Sequence, residues 1–546
     1  MNTMYKKDAV MLLSNIKTLG FWSCAVLVAL TGIWINHDFY HDDAYISLRY
    51  SENFLNGLGL VWNPSEHVQG YTNFLFVMLV YLLGYVGMDL VLASKLLGMV
   101  SFVGLIVLVL ISTRFFSENT IDDTKPMLPE AKIGAWVLLT SLPLITWAMG
   151  GLESVTFTFF ICAGVVATQC SLNSERQLYW AALSGLIFGL AYLLRPDGAV
   201  FGVVSGGYLL YSVWQKRAGW AVLPVFSLAV LVIVVPYSLW QLSFYGDILP
   251  NTYHAKSGAP LEVRVYTGFK YLAKFLISPP FLPAITLLLV FHTWRAGRLR
   301  QEHIFLLACC VVFGAYLFSV GGDHMQAFRM MLPIIPLMAL LIGGLAPLYF
   351  RKLSVRQREI VFALFFIVSA AQLRDINLSP ALPDPAADVG KVVGEYINEH
   401  WPDNSLVALH TAGSTPYYAP RLQFIDMLGL NDATIARRNV TRDLMLARMQ
   451  WAPGHLKGDG AYVLNRRPDY IIAGPAEGSL ISDPWFLSDV EMANSPEFKQ
   501  HYRLEQAELP QLPTKVKLFT YYRRIDNREE ARNGLSQTNV GLNPGS

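Results

Sequence analysis

Long apolar runs separated by short polar segments occupy the first two thirds of the chain. Runs at 18–36, 89–112, 132–149, 152–170, 178–194, 198–214, 219–241, 275–292, 303–320, 330–350 and 358–373 each approach the ~20 residues that a bilayer-crossing helix requires. Another, 72–88, is read as a re-entrant or membrane-grazing helix, which leaves about eleven crossings. From 374 onward the pattern changes. Prolines and charges interrupt short apolar stretches; Leu406–Leu409 and Tyr470–Ala473 read as buried strands, and 389–399 and 441–450 as amphipathic helices. The expected architecture is a multi-span α-helical membrane domain over 1–373, carrying an external loop at 37–71, followed by an external, soluble α/β domain over 374–526. The polar residues 527–546 read as a disordered tail.

Composition supports the membrane assignment. Hydrophobic residues make up 53% of the 546 positions and charged residues 15%, against about 25% charge in soluble globular proteins. A net charge of +2 offers no basic surplus for nucleic acid. The cysteines Cys24, Cys162, Cys170, Cys309 and Cys310 all lie in or beside apolar runs, so they supply neither a disulfide framework nor zinc spacing in the polar segments. Lys6 and Lys7 precede the first run, which no small-residue cleavage site follows, and it reads as a retained anchor. Cytoplasmic loops carry an excess of Lys and Arg. Placing Lys216–Arg217, Arg295–Arg300 and Arg351–Arg358 inside puts the segments around Glu153, Arg195, Asn251 and Asp323 outside, with loop 37–71 and the C-terminal domain.

The external segments hold the candidate chemistry. Asp42 and Asp43 directly precede a helical pattern whose Ala44, Tyr45, Leu48 and Leu55 share one face, as in a helix lying on a membrane surface. A transfer to a hydroxyl needs a carboxylate to take the proton, and this pair is the candidate; the ordinary alternative is that Asp43 caps the helix. Asp42 is the favoured base on that account. Downstream, Arg49, Asn63, Glu66, Tyr71 and Asn73 form a polar, aromatic loop. Glu153 in MGGLESV and Arg195 and Asp197 in LLRPDG stand at span junctions, where ionisable residues are functional candidates, although capping chemistry accounts for acids and prolines there equally well. Tyr245, Asn251, Tyr253 and Lys256 in FYGDILPNTYHAK, and Asp323, His324 and Arg329 in GGDHMQAFRM, mix aromatics with charges. Arg195, Lys256 and Arg329 suit a phosphate, with Asn251 and Tyr253 beside them. Asp323 and His324 have ligand chemistry but no surrounding ligand cluster, so no cofactor is expected, and a divalent metal is left open.

Taken in order, DDAYISLRY, GLGLVWNPSEHVQGYTNF, GGLES, RPDG, YGDILPNTYHAK and GGDHMQAFR resemble bacterial glycosyltransferases of the C superfamily. The resemblance is to the family of the mycobacterial terminal β-arabinofuranosyltransferase and its Gram-negative homologues, one of which decorates type IV pilin. It continues through YYAPRLQFIDMLGLND and GHLKGDGAYVLNRRPDYII. Gln69 and Gln326 depart from it, where the family more often has Glu and often Pro. The resemblance implies a polyprenyl-phosphate sugar donor, a glycan or pilin acceptor, a bacterial inner-membrane location and a catalytic Asp in the first external loop, matching Asp42 or Asp43. Hexose or aminoarabinose transfer is the rival within this chemistry. A lipid-linked sugar transporter is the rival outside it, disfavoured because the polar motifs gather at one membrane face instead of mid-span.

Overall fold

The computed structural model describes residues 20–117, 132–375, 377–378 and 384–525; the N-terminal lysines and the tail expected to be disordered lie outside these. The chain divides into two compact units. One comprises Met1–Tyr40, Thr72–Ile248 and Leu261–Pro383, the other His41–Tyr71, Leu249–Pro260 and Asp384–Ser546. The sequence reading drew a single boundary at 373/374, whereas by contacts two excursions from the apolar region fold with the C-terminal residues.

The first unit is helical. Among the described residues five helices are long and apolar enough to cross a membrane: Leu90–Phe116, Ser154–Asn173, Gln177–Leu194, Val222–Tyr245 and Gln301–Val320. Gly20–Ile35, Phe74–Tyr85, Gly198–Trp214 and Ile334–Phe350 are shorter apolar helices. At 12 residues, Phe74–Tyr85 spans roughly 18 Å, short of a ~30 Å hydrocarbon core. Two of the expected single runs are broken. In 132–149 the helices Ile133–Leu139 and Leu142–Met149 are separate, because Pro143 stands in the first turn of the second and cannot continue the first. Gln372 satisfies both ends of that break, its amide accepting from Leu142 N (3.2 Å) and donating to Thr140 O (3.1 Å). The run at 275–292 straddles two helices, Leu261–Ile277 and Leu282–Arg295, bent by 75° across Pro279 and Pro280. Close helix packing relies on small residues: a side chain at Gly98 would strike the Ala148 carbonyl, and one at Gly185 the Phe226 carbonyl. Buried hydroxyls pair between helices, Ser101 with Thr156 (2.9 Å) and Thr168 with Ser184 (2.7 Å).

The second unit is built on a five-stranded mixed sheet of order β2-β1-β3-β5-β4, with β1 Leu406–Leu409, β2 Gln423–Asp426, β3 Tyr470–Ile471, β4 Tyr502–Glu508 and β5 Leu518–Arg524. β1 pairs in parallel with β2 and β3; β5 pairs antiparallel with β3 and β4. Ala408, Ile425, Ile471, Val463, Phe498 and Tyr522 belong to its core. The amphipathic pattern at 389–399 lies within helix Pro385–His400. That at 441–450 does not form an α-helix: it yields two 3-10 turns, Arg442–Leu444 and Arg448–Trp451. Extended backbone at Ala447 separates them, and the Gln450 side chain takes Ala447 N (2.7 Å) and Leu444 O (3.1 Å) in place of helical bonds.

Helix Asp42–Leu55 belongs to this second unit. Ala44, Tyr45 and Leu48 are buried there, and the Tyr45 ring lies 5.2 Å from Tyr417 and 5.5 Å from Tyr418. The apolar face expected on a lipid surface is thus packed against helix Ser414–Tyr418.

Candidate active site

The two adjacent aspartates have different environments. His41, not Asp43, caps the helix: its backbone is extended and its Nδ1 accepts from Asp43 N (3.2 Å). Both aspartates therefore occupy the first turn, where the helix dipole favours negative charge. The Asp42 carboxylate is buried and committed. It accepts from Ser414 N (2.8 Å), Ser414 Oγ (2.7 Å) and Gly413 N (3.2 Å). Gly413 has to be glycine, since a side chain there would meet the Asp42 backbone and carboxylate. The Asp42 amide in turn donates to Asp384 Oδ2 (2.9 Å), which lies 3.7 Å from His41 Nε2. Burial, then the neighbouring Asp384 charge, push the Asp42 carboxyl up to about 6 against the bonds from Ser414, and Asp43 adds a smaller push. Asp43 is only half-buried. With His41 and not Asp43 as the cap, the ground for favouring Asp42 as the base is removed, and the Asp42 carboxylate is bound inside the α/β unit.

The rest of the first-loop motif also holds this unit together. Arg49 donates to the carbonyls of Trp62 (2.8 Å), Pro416 and Leu422 (3.5 Å), with its guanidinium over the rings of Trp62 and Phe424. Asn63 pairs with Phe424 in both directions and donates to Glu66 (2.9 Å), which meets Arg466 at 3.2 Å. Tyr71 packs edge-on against Tyr50. Asn251 donates to the carbonyls of Gly429 and Leu430 (both 2.9 Å) and accepts from Arg437 (3.0 Å). Tyr253 and Lys256, on the same short helix Asn251–Lys256, are exposed.

The first unit gathers a separate set of charges. Residue 195 precedes a proline, which disfavours helix; Arg195 is accordingly extended and ends helix Gln177–Leu194. Asp197 then starts Gly198–Trp214, and Glu153 starts Ser154–Asn173. Arg195 grips Asp197 bidentately (Nε to Oδ1 3.1 Å, Nη2 to Oδ2 2.9 Å) and reaches Glu153 Oε1 at 3.2 Å. Asn73 holds the other Glu153 oxygen at 2.9 Å. These bonds use three of the five guanidinium N–H groups. In loop 321–330, Arg329 Nε pairs with Asp323 Oδ2 (2.9 Å) and its guanidinium lies over Trp147, whose indole donates to Gln326 O (2.9 Å). His324 is exposed, 3.7 Å from Asp323. Tyr245 packs edge-on against Trp240 and Phe244. Among the described residues no group of three or more His, Cys, Asp or Glu side chains could hold a metal ion.

Two residues emerge that the motifs did not name. Tyr271 accepts from Met330 N (3.2 Å) and lies in the field of Asp323, Arg329 and Arg195; Tyr316 lies in the field of Asp197 and Arg195. Nothing in the sequence of either helix signals that these particular charges, which come from other segments, surround its tyrosine. The Gly413–Ser414 cradle did have a signal, a Gly-Ser step just after strand β1.

Residues 380–525 match a family described as a domain of unknown function, DUF8728. The chain is 26% identical over 332 residues to the terminal β-(1→2)-arabinofuranosyltransferase of Mycobacterium tuberculosis, covering 55% of this chain and 51% of that one. To the enzyme of the same name in Corynebacterium glutamicum it is 26% identical over 328 residues, 54% and 46% of the two chains. The chain thus spans about half the length of the curated relatives it matches. In fold it is similar to ArnT from Cupriavidus metallidurans, solved bound to undecaprenyl phosphate (TM-score 0.53, 14% identity, 74% of this chain and 85% of that one). It is also similar to the Archaeoglobus fulgidus oligosaccharyltransferase, solved in complex with zinc and sulfate (TM-score 0.51, 14% identity, 73% and 62%). The chain therefore shares the fold of these two proteins, several long apolar helices with a sheet-containing C-terminal region.

Proposed function

We propose that this protein is a membrane glycosyltransferase that moves a sugar, arabinofuranose by its similarity, from a polyprenyl-phosphate donor to a glycan or pilin acceptor on the external face of a bacterial inner membrane. The observation that carries the reading is the pair of adjacent carboxylates in the first turn of helix Asp42–Leu55, at its positive end, of which Asp42 is buried and Asp43 half-exposed. In the reaction an acceptor hydroxyl forms the new bond to the anomeric carbon, the bond from that carbon to the phosphate oxygen breaks, and the hydroxyl proton passes to Asp43. Polyprenyl phosphate leaves, and cationic groups stabilise its charge. Arg195 serves this role through its two remaining N–H groups while Glu153 and Asp197 hold it in place, with Arg329 and the exposed Lys256 as further cations. Tyr253 offers an exposed ring for sugar contact. Arg49, Asn63 and Asn251 are assigned structural roles. A transporter is disfavoured because the Glu153–Arg195–Asp197 cluster sits at helix ends and not at mid-span.

The test is Asp43→Asn in the purified full-length protein, assayed for label transfer from a polyprenyl-phosphate arabinose donor. Loss of a general base costs about 10²–10⁴-fold in rate, with folding and donor binding retained. Near wild-type transfer by this variant removes Asp43 from the chemistry.

A further inference from the structure

Helix Leu261–Ile277 is unlike its neighbours. Its 17 residues extend roughly 26 Å, less than the ~30 Å hydrocarbon core, and include Glu262, Arg264, Lys270 and Lys274. It meets the apolar helix Leu282–Arg295 at 75°, so the pair is not one straight crossing.

Three rows run along it at helical spacing. Arg264, Gly268, Tyr271 and Phe275 form the packed row. Arg264 donates to Ser319 O (3.2 Å), Gly268 abuts the Phe318 carbonyl, and Tyr271 holds Met330 N. The next row, Val265, Phe269 and Leu276, is apolar and exposed, as are Tyr266 and Ile277; Phe269 and Tyr266 are each 66% exposed and Ile277 72%. Lys270 and Lys274, one turn apart, form a third row beside it, and both are exposed. Lys270 lies 6.0 Å from the Tyr266 ring, and neither ammonium has a carboxylate partner among the described residues. An apolar exposed face bordered by lysines is the pattern of a helix lying in a bilayer interface, its apolar side in the acyl region and its cations among headgroup phosphates.

We propose that helix Leu261–Ile277 is an in-plane membrane anchor whose Lys270–Lys274 row binds the phosphates of anionic phospholipids. Because Tyr271 on the same helix holds Met330 N and packs against Gly322, lipid bound to the row also steadies the 321–330 loop. That coupling rests on the functional reading above; the lipid site does not.

The experiment is native mass spectrometry of the full chain released from nanodiscs containing equal phosphatidylglycerol and phosphatidylcholine, comparing wild type with Lys270→Gln/Lys274→Gln and Lys270→Arg/Lys274→Arg. A cation beside an anionic surface contributes ~1 kcal/mol, a preference of about fivefold per lysine. Wild type and the Arg pair should retain phosphatidylglycerol preferentially, and the Gln pair should fall to the bulk ratio with an unchanged melting temperature. Equal retention of both lipids by wild type, or undiminished preference in the Gln pair, would overturn the proposal. So would a row that takes added undecaprenyl phosphate while ignoring phosphatidylglycerol. None of these readouts uses sugar transfer, so their failure is distinct from a failure of the catalytic reading.

Discussion

Replacing Asp42 by Asn tests the assignment on which the choice of base depends. In the folded state burial raises the Asp42 carboxyl from 3.8 to about 6. At ~1.36 kcal/mol per pKa unit this is about 3 kcal/mol. The sign follows from proton binding: between pH 3.8 and about 6 the folded state holds the proton more tightly than the unfolded one, so stability from this group falls as pH rises through that window and is constant above it. Asn carries no charge to bury, but its amide group cannot accept from both Ser414 and Gly413. The lost bond to Gly413 N costs ~1–3 kcal/mol. At neutral pH the two effects nearly cancel, so Asp42→Asn should be folded and within about 2 kcal/mol of wild type. On acidification to pH 4.5 wild type should gain about 2 kcal/mol relative to the variant. Amide hydrogen exchange of segments 42–55 and 413–418, followed from pH 7.5 to 4.5, reads this locally without requiring the whole chain to unfold in one step. Transfer at neutral pH should stay within about tenfold of wild type. Either a wild-type-to-variant difference that does not change with pH, or a folded variant without transfer, refutes the structural role given to Asp42.

Arg195→Lys keeps the charge but loses the bidentate grip on Asp197; transfer should drop about 10–100-fold, corresponding to ~1.5–3 kcal/mol for a charge-assisted bond, and an unchanged donor KM and kcat would exclude Arg195 from donor handling. His410 is buried 3.7 Å from Asp489, and burial lowers its pKa against the pull of Asp489 and the Gly474 carbonyl. The unfolded chain therefore binds the proton more readily as pH falls below 6.5, and acid should loosen the α/β unit; His410→Phe should flatten that limb in hydrogen exchange of segments 406–410 and 486–494, and an unaltered limb would show that another group sets it. Reporter fusions at about residue 400 should be active only with a reporter that works outside the cytoplasm; activity of a cytoplasmic reporter there would invert the proposed orientation.

The sequence by itself determined the long apolar helices, strand β1 and the junction motifs. Each of these is written in a few adjacent residues: a run of apolar side chains sets a span, and Pro196 forces Arg195 out of the helix. It likewise placed Glu153, Arg195 and Asp197 at helix ends, which is where the structure has them, though not their mutual ion pairing. Only the tertiary structure decided which carboxylate of the Asp pair is consumed, because the atoms that hold Asp42 belong to Gly413 and Ser414, 371 and 372 positions away. The same holds for the burial of helix Asp42–Leu55. Its apolar face is equally consistent with lipid or with a protein partner, since amphipathic periodicity specifies that a face is covered and not by what. Tyr271 was illegible for a related reason: a tyrosine in a helix has a role only once another segment brings Met330 and Asp323 beside it.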